Sequence, residues 1–97
     1  MKITEMMLIR TCIDGALVKE MKLDLLMDKD FVFYLGELGQ IQYFADLKDP
    51  FFRIESPGSL VIRGIQNTDI LRVRLEGDVV ESENRLVSHV ENYGVCK

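Results

Sequence analysis

The stretch DILRVRLEGDVVESENRLVSHVENYGV, residues 69–95, spells one strand, one capped helix and a helix stop in order. Leu71, Val73 and Leu75 alternate with Arg72, Arg74 and Glu76, the period-two pattern of a strand with one face turned inward. Gly77 ends it. Asp78 and, three residues on, Glu81 then form a capping-box pattern in which carboxylates accept from the backbone N–H groups that a first helical turn leaves unpaired. A helix is therefore predicted from Val79, with Val79, Val80, Leu86, Val87, Val90 and Tyr93 on one stripe and Asn84, Ser88, Glu91 and Asn92 opposite. Ser82 is an alternative N-cap. Gly94 suits the left-handed position that ends helices, and Val95 would then touch Val90.

Outward from this stretch, the first half of the chain reads mostly as strands separated by turn residues. Asp14-Gly15 is a two-residue hairpin signal, because a type I′ turn needs positive φ at both central positions. That loop would set Leu8 opposite Met21, Met6 opposite Leu23 and Cys12 opposite Leu17, a coherent apolar face. It would also oppose Arg10 with Lys19 and Glu5 with Asp24, like-charge pairs that a sheet disfavours, so the register is open to a slip. The segment 16–27 fits a strand better than a helix, since a helical stripe of Leu17, Val18, Met21 and Leu25 strands Leu23 and Leu26. Asp28-Lys29-Asp30 makes the next turn, and Phe31 to Leu35, apolar on both faces, is expected to be an interior strand. A strand at 40–46 would turn Ile41 and Tyr43 inward. Residues 51–55 and 60–65 form a second hairpin around Pro57-Gly58, and a turn at Asn67-Thr68 sets Leu60 against Leu75, Ile62 against Val73 and Gly64 against Leu71. The sum is a single α+β domain over residues 1–97: an antiparallel, mostly meander sheet of six or seven strands with one C-terminal helix on its apolar face.

Composition sets the class of partner. With 97 residues, 47% hydrophobic and 29% charged, the chain can bury a core without metal or disulfide staples. A net charge of −4 argues against general affinity for nucleic acid or anionic membrane, both of which need an excess of Lys and Arg over a surface, though it leaves room for a local basic face. Cys12 and Cys96 are too few for a zinc ribbon or a disulfide scaffold, so reduced thiols are the expectation, with a 12–96 bridge the alternative if the two ends meet. The one apolar run near the start, Met6 to Ile9, is bracketed by Glu5 and Arg10, too short for a signal peptide or a membrane span. A cytoplasmic protein is expected.

Three arrangements could carry chemistry. The single histidine, His89, borders the helix stripe between Arg85 and Tyr93, a position that favours packing over catalysis, and no nucleophile elbow, P-loop or metalloprotease motif is present. Catalysis is not expected. In a meander the turns at 28–30, 46–49 and 67–69 share one end of the sheet, which gathers Asp28, Asp30, Asp46, Asp49 and Asp69, hard oxygen ligands of the kind calcium or magnesium takes, with Asn67 nearby. The alternative is ordinary turn chemistry. The Asn67-Thr68 register also sets Arg63 opposite Arg72, with Arg74 beside Val61, an arginine-bearing face suited to a phosphate, a carboxylate or an acidic partner unless Glu76 and other acids neutralise it. Finally Phe31, Val32, Phe33, Tyr34, Phe51 and Phe52 exceed what one helix covers and suggest an association patch. These readings together predict a non-catalytic module that binds a protein partner or self-associates as a homo-oligomer, with divalent-cation or small-anion binding as alternatives.

Overall fold

The computed structural model describes residues 1–46 and 48–93. Six strands, β1 (Ile3–Thr11), β2 (Leu17–Leu23), β3 (Gln40–Phe44), β4 (Phe51–Ser56), β5 (Leu60–Ile65) and β6 (Ile70–Leu75), form one antiparallel sheet in the order β1-β2-β6-β5-β4-β3. Two helices, α1 (Lys29–Leu35) and α2 (Val79–Glu91), complete the domain. The α+β class, the C-terminal helix and the antiparallel pairing are as the pattern predicts. Among the described residues no helix is long and apolar enough to cross a membrane.

The second half follows its sequence closely. Leu60 pairs with Leu75, Ile62 with Val73 and Gly64 with Leu71, and Asn67 takes the positive φ (68°) that the turn between β5 and β6 requires. Asp78 Oδ1 accepts from the Glu81 N–H at 3.1 Å and α2 begins at Val79. Ser82, the alternative cap, is instead buried inside the helix and donates to the Glu76 carbonyl. Gly94, Val95 and Cys96, with the helix stop and the 12–96 bridge, lie outside the described residues.

One expected strand is a helix. Residues 31–35 belong to α1, because Asp28 is an N-cap whose side chain accepts from the Phe31 N–H at 2.8 Å and so satisfies a donor of the first turn. The run that looked apolar on both faces is a short helix whose Phe31, Val32 and Leu35 are fully buried while Phe33 faces outward. A 3₁₀ turn (Gly36–Leu38) follows, and β3 starts at the far end of the sheet, so β2 pairs with β6 and not with β3.

The first hairpin is also re-registered. Its loop is Ile13-Asp14-Gly15, closed by Cys12 N–H donating to Ala16 O (2.8 Å) and Gly15 N–H to Cys12 O (3.0 Å), with Gly15 at φ 88°. That is a three-residue loop ending in a left-handed glycine, where two residues were expected. That loop sets Arg10 opposite Val18, and an extra residue between Leu8 and Arg10 then sets Met6 opposite Met21 and Glu5 opposite Lys22. Both like-charge pairs of the expected register are thereby removed.

Both helices lie on one face. Met21, Leu23, Phe52, Ile54, Leu60, Ile62, Leu71, Val73 and Leu75 point from the sheet into a cluster closed by Phe31, Leu35, Leu86 and Val90. Burying each such side chain is worth about 1.5–3 kcal/mol, so the cluster dominates stability. The association patch expected around Phe31 to Tyr34, Phe51 and Phe52 does not form, because α1 supplies a second cover and buries Phe31, Val32 and Phe52 completely.

Candidate functional site: the uncovered sheet face

With both helices on one side, the other face of the sheet has no covering layer among the described residues. The residue rows that cross it follow from the registers. One runs Gln42, Arg53, Arg63, Arg72, Glu20, Met7 from β3 to β1, and the next runs Gln40, Glu55, Val61, Arg74, Val18, Arg10. Arg63 faces Arg72, with Arg74 on the same side, where the sequence set all three. Arg53 joins them because the β4–β5 loop spans Pro57 to Ser59, one residue more than a two-residue turn, which also returns Phe52 and Ile54 to the core. Arg10 arrives because the Ile13-Asp14-Gly15 loop is likewise one residue longer than a two-residue turn. Neither was legible as a member of the group, since each depends on a single-residue slip; the Phe52/Ile54 conflict left by a two-residue turn at Pro57-Gly58 is the sequence signal for the first.

Four of these guanidinium groups edge a cleft of about 150 Å³ formed by Ile9, Arg10, Val18, Val61, Arg63, Arg72 and Arg74. Val18 and Val61, 6% and 7% exposed, are buried without belonging to the main core. They make an apolar floor beneath the arginine stems, as long cationic side chains allow.

The charges around this cleft are unevenly matched. Arg74 is paired with two carboxylates: Nε donates to Glu76 Oε2 and Nη2 to Asp14 Oδ2, both at 2.8 Å, and Nη1 reaches Cys12 Sγ at 3.3 Å. The Glu76 bond, helped by the charge of Asp14, holds its pKa above the ordinary arginine value despite some desolvation. Arg72 donates to Glu20 across the strand pair at 2.9 Å, and Arg53 to Glu55 at 3.1 Å. Arg63, exposed between Arg53 and Arg72, forms no ion pair among the described residues, and neither does Arg10. Like charges directly opposite in a sheet are mutually destabilising, so Arg63 sits in a row that an added anion would stabilise. Toward the β3 end of this face Phe44 and Phe51 pack together, ring centroids 5.6 Å apart, beside the half-exposed Ile65.

The acidic turns do come together at one end of the sheet. Met27 N–H donates to Thr68 O and Asn67 N–H to Met27 O, and Gln66 N–H reaches Pro50 O, so the segments bearing Asp28, Asp30, Asp46, Asp49 and Asp69 are neighbours. Their carboxylates are not focused: Asp28 is committed to its cap, and among the described residues no three acidic, histidine or cysteine side chains converge as a metal would require. His89 is a clasp between helices. Its ring stacks on Tyr34 at 4.0 Å, its Nε2–H donates to the Tyr34 carbonyl at 2.8 Å, and Tyr34 O–H donates to the His89 carbonyl at 2.6 Å. Arg85 ties α2 to the 3₁₀ turn through Leu38 O at 2.9 Å. Comparison of the chain with protein-family models, with curated proteins and with solved structures gave no match.

Proposed function

We propose that this domain is a non-catalytic binding module whose uncovered sheet face docks a protein partner, with a carboxylate of that partner seated against Arg63 in the arginine cleft. The observation that carries the reading is Arg63 itself: an arginine without a counter-charge among the described residues, flanked by Arg53 and Arg72, above an apolar floor of Val18 and Val61. A guanidinium over apolar surface, ringed by further arginines and aromatics, is the composition of interface centres. Acids interleave with the arginines as Glu20, Glu55 and Glu76. That mixture repels a continuous phosphate backbone and favours a partner with one or two carboxylates set among apolar side chains.

Calorimetric titration with a synthetic peptide alternating glutamate and leucine tests this. Binding should weaken with added salt, because the contact is partly exposed and screened, and Arg63→Glu should weaken it at least about tenfold, the loss of a charge-assisted pair plus a new repulsion. Absence of any binding at millimolar peptide, or indifference to Arg63→Glu, would contradict it. A parallel titration with inorganic phosphate separates the readings: phosphate binding as tight as the peptide's would move the assignment to a small-anion site.

A further inference from the structure

The two edges of the sheet are built differently. At one end β3 is five residues long and presents Gln40 and Gln42 on the uncovered face. At the other, β1 is nine residues long, and eight of them are exposed. Met6, Met7, Leu8 and Ile9 stand 40%, 58%, 54% and 41% exposed in succession, so both faces of this edge are apolar. A long apolar edge strand offers unpaired N–H and C=O groups to another strand, and proteins ordinarily blunt such edges with charge, proline or brevity. Here the blunting is partial: Glu5 and Arg10 bracket the run, and register shifts lie before Glu5 and between Leu8 and Arg10, leaving Glu5 to Leu8 as a regular stretch.

We propose that β1 is a self-association edge, at which a second copy of this chain pairs its own β1 antiparallel about a two-fold axis at Met7, joining the two sheets into one. A two-fold axis normal to a sheet preserves its faces, so opposed residues must come from the same face of each copy. An axis at Met7 satisfies this: Met7 meets the second copy's Met7 on the uncovered face, and Met6 meets the second copy's Leu8 on the helix-bearing face. The charges then fall into place. Glu5 shares the uncovered face with Met7, opposite Lys22 and Glu20 respectively, and the extra residue at Ile9 brings Arg10 onto that face opposite Val18. Each Glu5 therefore lies across from the Ile9–Arg10 bulge of the second copy, giving two symmetric Glu5–Arg10 contacts and no like-charge pair. Moving the axis to Leu8 would set Glu5 against Thr11 and lose both contacts, so charge complementarity selects the register as well as the partner. The same pairing brings the exposed Met6, Met7, Leu8 and Ile9 of each copy against the other. It is closed: β1 is used up in the contact, and the dimer's outer edges are the short β3 strands.

Sedimentation analysis of the whole chain up to about 1 mM, where even a weak edge contact is populated, should show a monomer–dimer equilibrium and no larger species. Glu5→Arg and Arg10→Glu should each raise the dimer dissociation constant about tenfold, since two symmetric contacts turn from attractive to repulsive. The double exchange should return it to within about threefold of the original. Both side chains are exposed, and thermal melts by circular dichroism identify any variant that fails to fold; amide hydrogen exchange of Met6 and Leu8 in the unaltered chain, slowing as concentration rises, reads the same contact without substitution. A monomer at every concentration, growth beyond the dimer, or a double exchange no better than the singles would overturn the proposal. The readout is mass and edge protection, so it stands apart from the peptide titration of the arginine cleft.

Discussion

Arg63 is the residue at which stability and binding pull apart. Its two cross-strand neighbours on the uncovered face, Arg53 and Arg72, are arginines that have partners of their own in Glu55 and Glu20. A side chain placed for folding alone would not be charged here, because like charges opposite one another cost a few tenths of a kcal/mol to about 1 kcal/mol. Arg63→Gln, which keeps length and hydrogen-bonding capacity while removing charge, should therefore stabilise the free domain by roughly 0.5 kcal/mol. Urea unfolding read as a shift of the midpoint at constant slope checks this; a loss of 1 kcal/mol or more would mean that Arg63 is anchored in a way the geometry does not contain. The sequence revealed Arg63 opposite Arg72 because both strands hang on the Asn67 turn. It concealed Arg10 and Arg53, whose places depend on the Asp14-Gly15 and Pro57-Gly58 loops each being one residue longer than a two-residue turn, a length that only the Phe52/Ile54 conflict betrays, and only for the second loop.

At the scale of elements, what could be read depended on how many repeats of a pattern an element contains. Strand β6 and helix α2 present several periods each, and the strand and the start of the helix lie where their patterns put them. Helix α1 offers under two turns, so Phe31, Val32 and Leu35 could not be told from a strand buried on both faces, and only the Asp28 cap distinguishes them. The two helices are joined by aromatic contacts whose protonation has a consequence for stability. Burial first, then the charge of Glu37, raises the Tyr34 pKa, and burial followed by the charges of Asp28 and Asp30 raises that of Tyr93. Both phenols thus hold their protons more tightly folded than unfolded. The unfolded chain loses them first as pH rises through about 10, so stability falls with pH from there until the folded phenols also ionise, and is insensitive to these groups below that range. Urea midpoints between pH 8 and 11 should show this alkaline decline, and the Tyr34→Phe, Tyr93→Phe double variant should flatten it. An unchanged slope in that variant would refute the assignment.

For the whole molecule, one asymmetry organises the rest: two helices and the fully buried apolar cluster lie on one face of the sheet, and the arginines with their interleaved acids on the other. The fold class was legible, because alternation in β4 to β6 and one amphipathic helix already demand a two-layer arrangement. Which face stays bare was not, because that depends on α1 crossing to the same side as α2, and the segment that forms it gives no period long enough to aim it. The bare face is also where a partner would leave its mark. Titrating the labelled domain with the glutamate–leucine peptide while following backbone amide and arginine Nε–H signals measures it directly. Shifts should centre on Arg63 and spread to Arg53, Arg72, Val61 and Val18, with Leu86, Val90 and the rest of the helix layer unmoved. Shifts confined to α1 and α2, or none at saturating peptide, would contradict it.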